Sequence, residues 1–429
     1  MTQAATSTQD HAGPDTTPGP LTRRGPRPLL LHLTLAMLRS SVSLGTSPHS
    51  KHDWRSSNAE AVLTTLRAAL AGENAEAAFP AAVLAETLRQ DAALIEGIAA
   101  YRRHPWRRSL VDPPALWTEG GSRLLDYGGT GPAVLFVPSL VNRAYVLDLA
   151  PGHSMLRWLA ENGVRPLLLD WGWPGEAERK FTLTDYVAGR LERALAAAKG
   201  LTGGPVTLVG YCMGGTLAVA AAQRRPDLVS ALALLAAPWD FHADDPARAE
   251  QASRCLTLME PLLAFNGTLP VDALQVLFGL LDPWGVADKY RRFARLDQSS
   301  ERAILFVALE DWLNDGIPLA APVARECVGG WYGENTPAQG AWRIAGMTVD
   351  PTALRQPAFV AVPRRDRIVP PGSALPLAEM IGGAVLHEPA AGHIGMAAGG
   401  TAEQALWQPL ATWLRGVPRG RVSRRRAAH

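Results

Sequence analysis

Apolar and polar positions along this chain follow two different periods. Between about residues 28 and 101 the apolar residues recur every three or four positions, as in Leu29–Leu38, Ala59–Leu70 and Ala82–Ile95. That spacing lines one face of an α-helix. Beyond Arg102-Arg-His-Pro-Trp106 they gather instead into short runs bounded by Gly, Pro or Asp. These are Arg123–Tyr127, Ala133–Val137, Arg165–Asp170, Val206–Val209, Val229–Ala236 and Pro357–Val362. Runs of this length and Val/Leu content predict strands, most of them buried on both faces. Helical stretches fall between them, at Ser154–Glu161, in the Ala-rich segment after Thr182–Tyr186, and directly after Cys212. The alternation predicts an α/β core with a mostly parallel sheet and helices on both faces.

The strand pattern stops between about residues 242 and 350. Helical spacing takes over at Leu256–Phe265, Val271–Leu281, Ala287–Ala294 and Glu301–Trp312, and a last helix is predicted at Ala402–Leu414. An insertion between core strands is the place for a cap over a site. The expected organisation is a disordered segment over 1–27, a helical N-terminal region over 28–112, and the first part of the core over 113–241. A helical cap or lid over 242–350, the second part of the core over 351–416, and a basic tail over 417–429 follow. The helical N-terminal region carries no evident chemistry of its own.

Composition narrows the function classes. A formal net charge of +2 gives the body of the protein no electrostatic reason to bind nucleic acid. Three cysteines, Cys212, Cys255 and Cys327, are too few for a disulfide framework and point to a reducing, cytoplasmic setting. No apolar run is long enough to span a bilayer. Leu29–Leu38, preceded by Arg23-Arg24, superficially matches a signal peptide. It contains His32, however, and runs into Arg39-Ser-Ser-Val42 rather than a small-residue cleavage site, so an amphipathic or buried helix is expected.

The chemistry concentrates at Gly210-Tyr-Cys-Met-Gly-Gly215, between the strand Val206–Val209 and an Ala-rich helix. This G-x-C-x-G-G turn resembles the nucleophile elbow of the α/β-hydrolase fold, with cysteine where serine is usual. A nucleophile at the tip of a strained strand-to-helix turn leaves no room for Cβ atoms two residues to either side. A thiol nucleophile needs a base, and the base needs an orienting group. Downstream, in the chain order of that fold, stand Asp366 in Pro363-Arg-Arg-Asp-Arg-Ile-Val369 and His393 in Ala390-Ala-Gly-His-Ile-Gly395. His153, His242, His387, Asp170, Asp240 and Asp244 are alternatives outside that order. Oxyanion donors are expected from the backbone N–H of Met213 and of Leu140 or Val141, the latter in Val137-Pro-Ser-Leu-Val-Asn-Arg143. Of the two, Val141 is the expected donor.

A wider set of motifs resembles the polyhydroxyalkanoate synthases, most closely the catalytic subunit of the short, two-subunit class. They are Val137-Pro-Ser-Leu-Val-Asn-Arg-Ala-Tyr-Val-Leu-Asp-Leu149, Ser154-Met-Leu-Arg-Trp-Leu159, Leu169-Asp-Trp-Gly-Trp-Pro174 and Leu183-Thr-Asp-Tyr186. Pro238-Trp-Asp-Phe241, Glu310-Asp-Trp312 with Asp315 and Pro318, Asp366-Arg-Ile-Val-Pro370 and Gly392-His-Ile-Gly395 continue the series. The likeness runs from about Leu116 to Leu414. It implies an α/β-hydrolase fold and an acyltransferase that polymerises (R)-3-hydroxyacyl-CoA, with a CoA thioester as substrate and neither metal nor cofactor. It also implies Cys212 as the acyl-carrying nucleophile, His393 as its base, and Asp366 orienting His393 or helping to activate the substrate hydroxyl. A homodimer, a second synthase subunit and work at the surface of a polyester granule are further expectations from the resemblance. One departure stands out: the family usually has His after the acid, where this chain has Arg367. The competing readings are a cysteine-dependent thioesterase or intracellular polyester depolymerase, and a non-catalytic granule-associated paralogue.

Overall fold

Alternate residues of the central strands pack into two separate cores, one on each face of a single sheet. The computed structural model describes residues 23–45, 57–71, 73–281 and 284–417. Its main sheet has eight strands: β1 (Ala115–Glu119), β2 (Ser122–Asp126), β3 (Ala133–Val137), β4 (Arg165–Asp170), β5 (Val206–Tyr211), β6 (Val229–Leu235), β7 (Ala358–Ala361) and β8 (Val385–His387). Their spatial order is β1-β2-β4-β3-β5-β6-β7-β8. The first two pairings along that order are antiparallel and all the rest parallel.

Side chains two apart on a strand point the same way. Leu135, Val137, Leu167, Leu169 and Leu208 therefore meet α5 (Glu192–Thr202) and α6 (Met213–Arg224) on one face. Val134, Phe136, Leu168, Val209 and Tyr211 meet α4 (Met155–Glu161), α12 (His393–Ala398) and α13 (Gln408–Gly416) on the other. Each fully buried Leu, Val or Phe contributes roughly 1.5–3 kcal/mol relative to exposure.

The cap separates β6 from β7. It holds α7 (Pro246–Asn266), α8 (Val271–Leu281), α9 (Gly285–Phe293), α10 (Glu301–Asn314) and α11 (Ala321–Arg325), continued as a π-helix over Glu326–Gly333. It is not wholly helical as expected: Thr268–Leu269 pairs with Leu319–Ala320, and Arg343–Ile344 with Met347–Thr348. Such two-residue pairings are too short to leave a periodic pattern in the sequence.

The N-terminal region forms α1 (Leu29–Leu44), α2 (Ser57–Ala69) and α3 (Glu73–Arg103). A third core joins α1 and α3 to the cap, where Ala36, Leu94, Ile98 and Tyr101 pack with Tyr290, Phe293 and Val307. Helix α1 buries His32 and Ala36 but leaves Leu30, Met37 and Val42 exposed, so its buried stripe is narrow.

The expectation of disorder over 1–27 needs correction at its end, while residues 1–22 lie outside the described residues. Arg23 is buried, bonded to Asp311 Oδ1 at 2.7 Å and to the carbonyls of His104 and Trp106. Arg27 Nε reaches Asp272 Oδ1 at 2.8 Å, and the Arg27 N–H donates to Asn314 Oδ1 at 2.9 Å. These partners stand from 81 to 288 residues away, so local composition gave no hint of them. The tail beyond residue 417 is also outside the described residues. Among the described residues no helix is long and apolar enough to cross a membrane.

Candidate active site

Strand β5 and helix α6 meet at Cys212, whose φ of 56° and ψ of −132° give the turn its sharpness. A side chain with positive φ is strained and persists only where the surroundings hold it. Here the Cys212 N–H donates to Leu235 O at 2.9 Å, and the Gly215 N–H donates to Cys212 O at 2.8 Å. The flanking glycines are sterically required. A Cβ on Gly210 would lie 2.3 Å from Gly215 Cα, and one on Gly214 would lie 2.1 Å from Val137 O.

Asp366 and His393 arrive from two loops on the far side of β6. Asp366 follows β7; its Oδ1 accepts from the Ile368 and Val369 N–H groups, each at 2.9 Å. Its Oδ2 lies 2.7 Å from His393 Nδ1, and both side chains are buried. A carboxylate so held only accepts, so Nδ1 carries the proton and Nε2 is the nitrogen left for the nucleophile. Cys212 and His393 line the same cavity, and the charge of Cys212 acts on the imidazole. Burial works against an imidazolium here. The charge of Cys212 and the hydrogen bond and charge of Asp366 outweigh it and push the His393 pKa up to about 10. Tyr211, buried beside Cys212, donates its hydroxyl to the His393 carbonyl at 3.2 Å and sets its ring 5.1 Å from the imidazole. Sequence reading passed over Tyr211, although its place next to the nucleophile was the available signal.

The two oxyanion candidates differ. Met213 is the first residue of α6, where an N–H has no acceptor within the helix. The Val141 N–H donates to Ser139 Oγ at 3.1 Å, so a substrate oxyanion must displace that contact. Cap residues brace the same loop: the Ile317 N–H donates to Val141 O at 3.1 Å, and Trp312 Nε1 to Arg143 O at 2.7 Å.

Cys212, His393 and Val141 line one cavity of about 600 Å³. Cap side chains from α8, α9 and α10 close it, among them Gln275, Lys289, Glu310 and Trp312. Arg367 lines it too, in the position where the resemblance expected His. The alternatives outside the chain order are used elsewhere. His242 Nε2 contacts Tyr332 O at 2.8 Å, His387 Nε2 contacts Ala405 O at 2.7 Å, and His153 faces Glu301. Asp170 pairs with Arg123, and Asp240 accepts from the His242 N–H and from Asn335. Asp244 is likewise absent from the cavity lining.

The cavity also takes in Pro26, Arg27 and His32. The N-terminal region thus contributes to the wall of the cavity. The only sequence signal was a histidine and an arginine in or beside an otherwise apolar helix, which by themselves do not reveal which wall they face.

A family model described as alpha/beta hydrolase fold matches residues 132–398. The chain is 30% identical over 309 residues to the poly(3-hydroxyalkanoate) polymerase subunit PhaC of Haloferax mediterranei, covering 70% of this chain and 62% of that protein. It is 29% identical over 292 residues to the protein of the same name from Synechocystis sp., covering 66% of this chain and 77% of that protein. Among solved structures, a thermophilic esterase from Thermogutta terrifontis is 22% identical with a TM-score of 0.43, covering 72% of this chain and 98% of that one. The match thus spans about three-fifths of the length of the Haloferax protein.

Proposed function

The chain belongs to the alpha/beta hydrolase fold family, and on that premise we propose that it is an acyltransferase that builds polyester from (R)-3-hydroxyacyl-CoA. The observation that carries this reading is that Cys212 and His393 line one cavity, with Asp366 buried behind the imidazole. The names of the relatives favour polymerisation over hydrolysis.

The Cys212 thiolate attacks the thioester carbonyl while His393 holds the proton. The oxyanion is met by the Met213 N–H and, once Ser139 releases it, by that of Val141; one such donor is worth about 10²–10³ in kcat. The bond from the acyl carbon to the CoA sulfur then breaks, and the departing thiolate takes the His393 proton. A hydroxyl on another hydroxyacyl unit next gives its proton to His393 and attacks the acyl-cysteine, forming an ester and freeing Cys212. Asp366 keeps the imidazole oriented through both steps. Arg367, in place of the usual His, lines the cavity beside these groups. The proposal carries with it a cytoplasmic location, work at a polyester surface, and assembly with a second copy or a second synthase subunit.

The test is to incubate purified protein with (R)-3-hydroxybutyryl-CoA and follow free CoA and product together. CoA release with insoluble polyester is expected. CoA release with only free hydroxy acid moves the assignment to a thioesterase or depolymerase. No release from the chain, with or without a second subunit, points to a non-catalytic paralogue.

A further inference from the structure

His32 is an unusual residue to find in the wall of a catalytic cavity. It stands in the first turn of α1, is only 6% exposed, and lines the same cavity as Cys212. Its Nε2 lies 3.1 Å from Arg27 O. A carbonyl only accepts, so Nε2 carries the proton in that contact. Burial lowers the His32 pKa; the Arg27 carbonyl and Glu310 oppose this and Lys289 adds to it, and the ring is neutral near pH 7. Its Nδ1 is then a bare acceptor, and this atom is buried without a hydrogen-bond partner. Buried polar atoms in native proteins are rarely left so, and the exceptions call for an explanation. Asn142 Oδ1 and Arg143 Nε, from two other residues that line this cavity, are buried without a partner as well.

The surroundings indicate what kind of ligand. Arg27, Arg143, Lys289, Arg292 and Arg367 line the cavity. Two carboxylates, Asp288 and Glu310, line it as well; Lys289 pairs with Glu310 at 2.6 Å and Arg27 with Asp272 at 2.8 Å, and cations still outnumber carboxylates in the lining. A cavity so biased favours a substrate with an anionic handle. The segment that brings in Arg27 and His32 is held by the Arg23–Asp311, Arg27–Asp272 and Arg27–Asn314 contacts, and by Arg102 Nε donating to Gly25 O at 3.0 Å.

We infer that the N-terminal segment Arg27–His32 is part of the substrate site, with His32 Nδ1 accepting a hydrogen bond from an N–H or O–H donor of an acyl-pantetheine thioester. The inference rests on the proposed acyl-CoA chemistry and adds to it a specificity residue from outside the part of the chain that resembles the synthases. The donor is either an amide N–H of the pantetheine arm or the hydroxyl of the acyl group.

The test measures binding of (R)-3-hydroxybutyryl-CoA to Cys212→Ala protein by calorimetry, alone and combined with His32→Leu or His32→Asn. Leucine is close in size and has no acceptor, whereas the asparagine side-chain oxygen falls near the place of Nδ1. His32→Leu is expected to weaken binding about tenfold, the effect of one lost hydrogen bond, and His32→Asn to recover most of it. In the Cys212 enzyme the same change should raise KM with a much smaller effect on kcat. Butyryl-CoA separates the two donors. An equal loss with both ligands assigns the amide, and a loss confined to the hydroxylated ligand assigns the hydroxyl. Unchanged affinity in a folded His32→Leu protein overturns the inference. Failure of the Cys212→Ala parent to bind acyl-CoA overturns the proposed function and the inference with it. If both His32 variants unfold, the Nδ1 resonance of ¹⁵N-histidine-labelled parent decides: a ligand-induced shift supports the inference, and an unmoved resonance overturns it.

Discussion

His393 Nδ1 lies 2.7 Å from Asp366 Oδ2, and the other carboxylate oxygen is held by two backbone N–H groups. The acid therefore has one oxygen for positioning itself and one for positioning the base. Asp366→Asn keeps the first role and presents the wrong partner, or the wrong tautomer, in the second. Its kcat is expected to fall by about 10³–10⁴, out of proportion to the lower melting temperature that follows from losing the charge beside His393. Steady-state CoA release and a thermal melt check this together; a fall below tenfold contradicts the assigned role.

The raised pKa of His393 also has a consequence for stability. A group bound more tightly to its proton in the folded state stabilises the fold below its unfolded pKa of about 6.5. That contribution is lost as pH rises toward the folded value of about 10. The charge of Cys212 is the foremost of the influences raising it. Melting temperatures taken from pH 6 to about pH 10 should therefore decline, and in Cys212→Ala the decline should be smaller and complete at lower pH. Superimposable pH profiles for the two proteins are the contrary result.

At Gly214 even one methyl group is too many, since its Cβ would stand 2.1 Å from Val137 O and 2.6 Å from Pro138 O, both backbone atoms. Backbone cannot step aside as a side-chain tip does. Gly214→Ala should cost about 1–3 kcal/mol or more of stability and displace Cys212 from its turn. Chemical denaturation reads the first effect and turnover the second; an alanine variant with parental stability and activity speaks against the elbow as described.

Arg23 ties the N-terminal segment to α10. Arg23→Ala leaves Asp311 with the Tyr101 hydroxyl, 2.9 Å away, but without its cation. The loss expected is roughly 2–3 kcal/mol, below that of a fully buried pair because Asp311 keeps some contact with water. Limited proteolysis should then cut within the first fifty residues faster than in the parent. Equal cutting rates indicate that the contact does not hold the segment.

Much of this was legible in the sequence because strands of a parallel sheet are continuous in sequence and buried on both faces. Ala133–Val137 and Arg165–Asp170 appear as strands at the residues expected, and helix Val271–Leu281 likewise. The elbow was legible because Gly210 and Gly214 are forced by local sterics, which spacing reveals. β1 and β8 were not anticipated: an edge strand such as Val385–His387 keeps two exposed positions and lacks a long apolar run. The seat of Arg23 was invisible because its partner Asp311 is 288 residues away. Val141 was selected from its loop, yet the Ser139 hydroxyl holding its N–H depends on a backbone turn that composition does not specify. His32 appeared only as a polar blemish in an apolar run, since its role depends on which wall of the cavity α1 reaches.

The central claim is that Cys212 carries the acyl group, and trapping that intermediate tests it most directly. The protein is mixed with (R)-3-hydroxybutyryl-CoA, quenched in acid within the first turnovers, digested, and weighed peptide by peptide. The account predicts one or more hydroxybutyryl units on the Cys212 peptide, with none on the peptides of Cys255 or buried Cys327, and no acylation or turnover in Cys212→Ala. An unmodified Cys212 peptide in a protein that turns over, or turnover that survives Cys212→Ala, would contradict it.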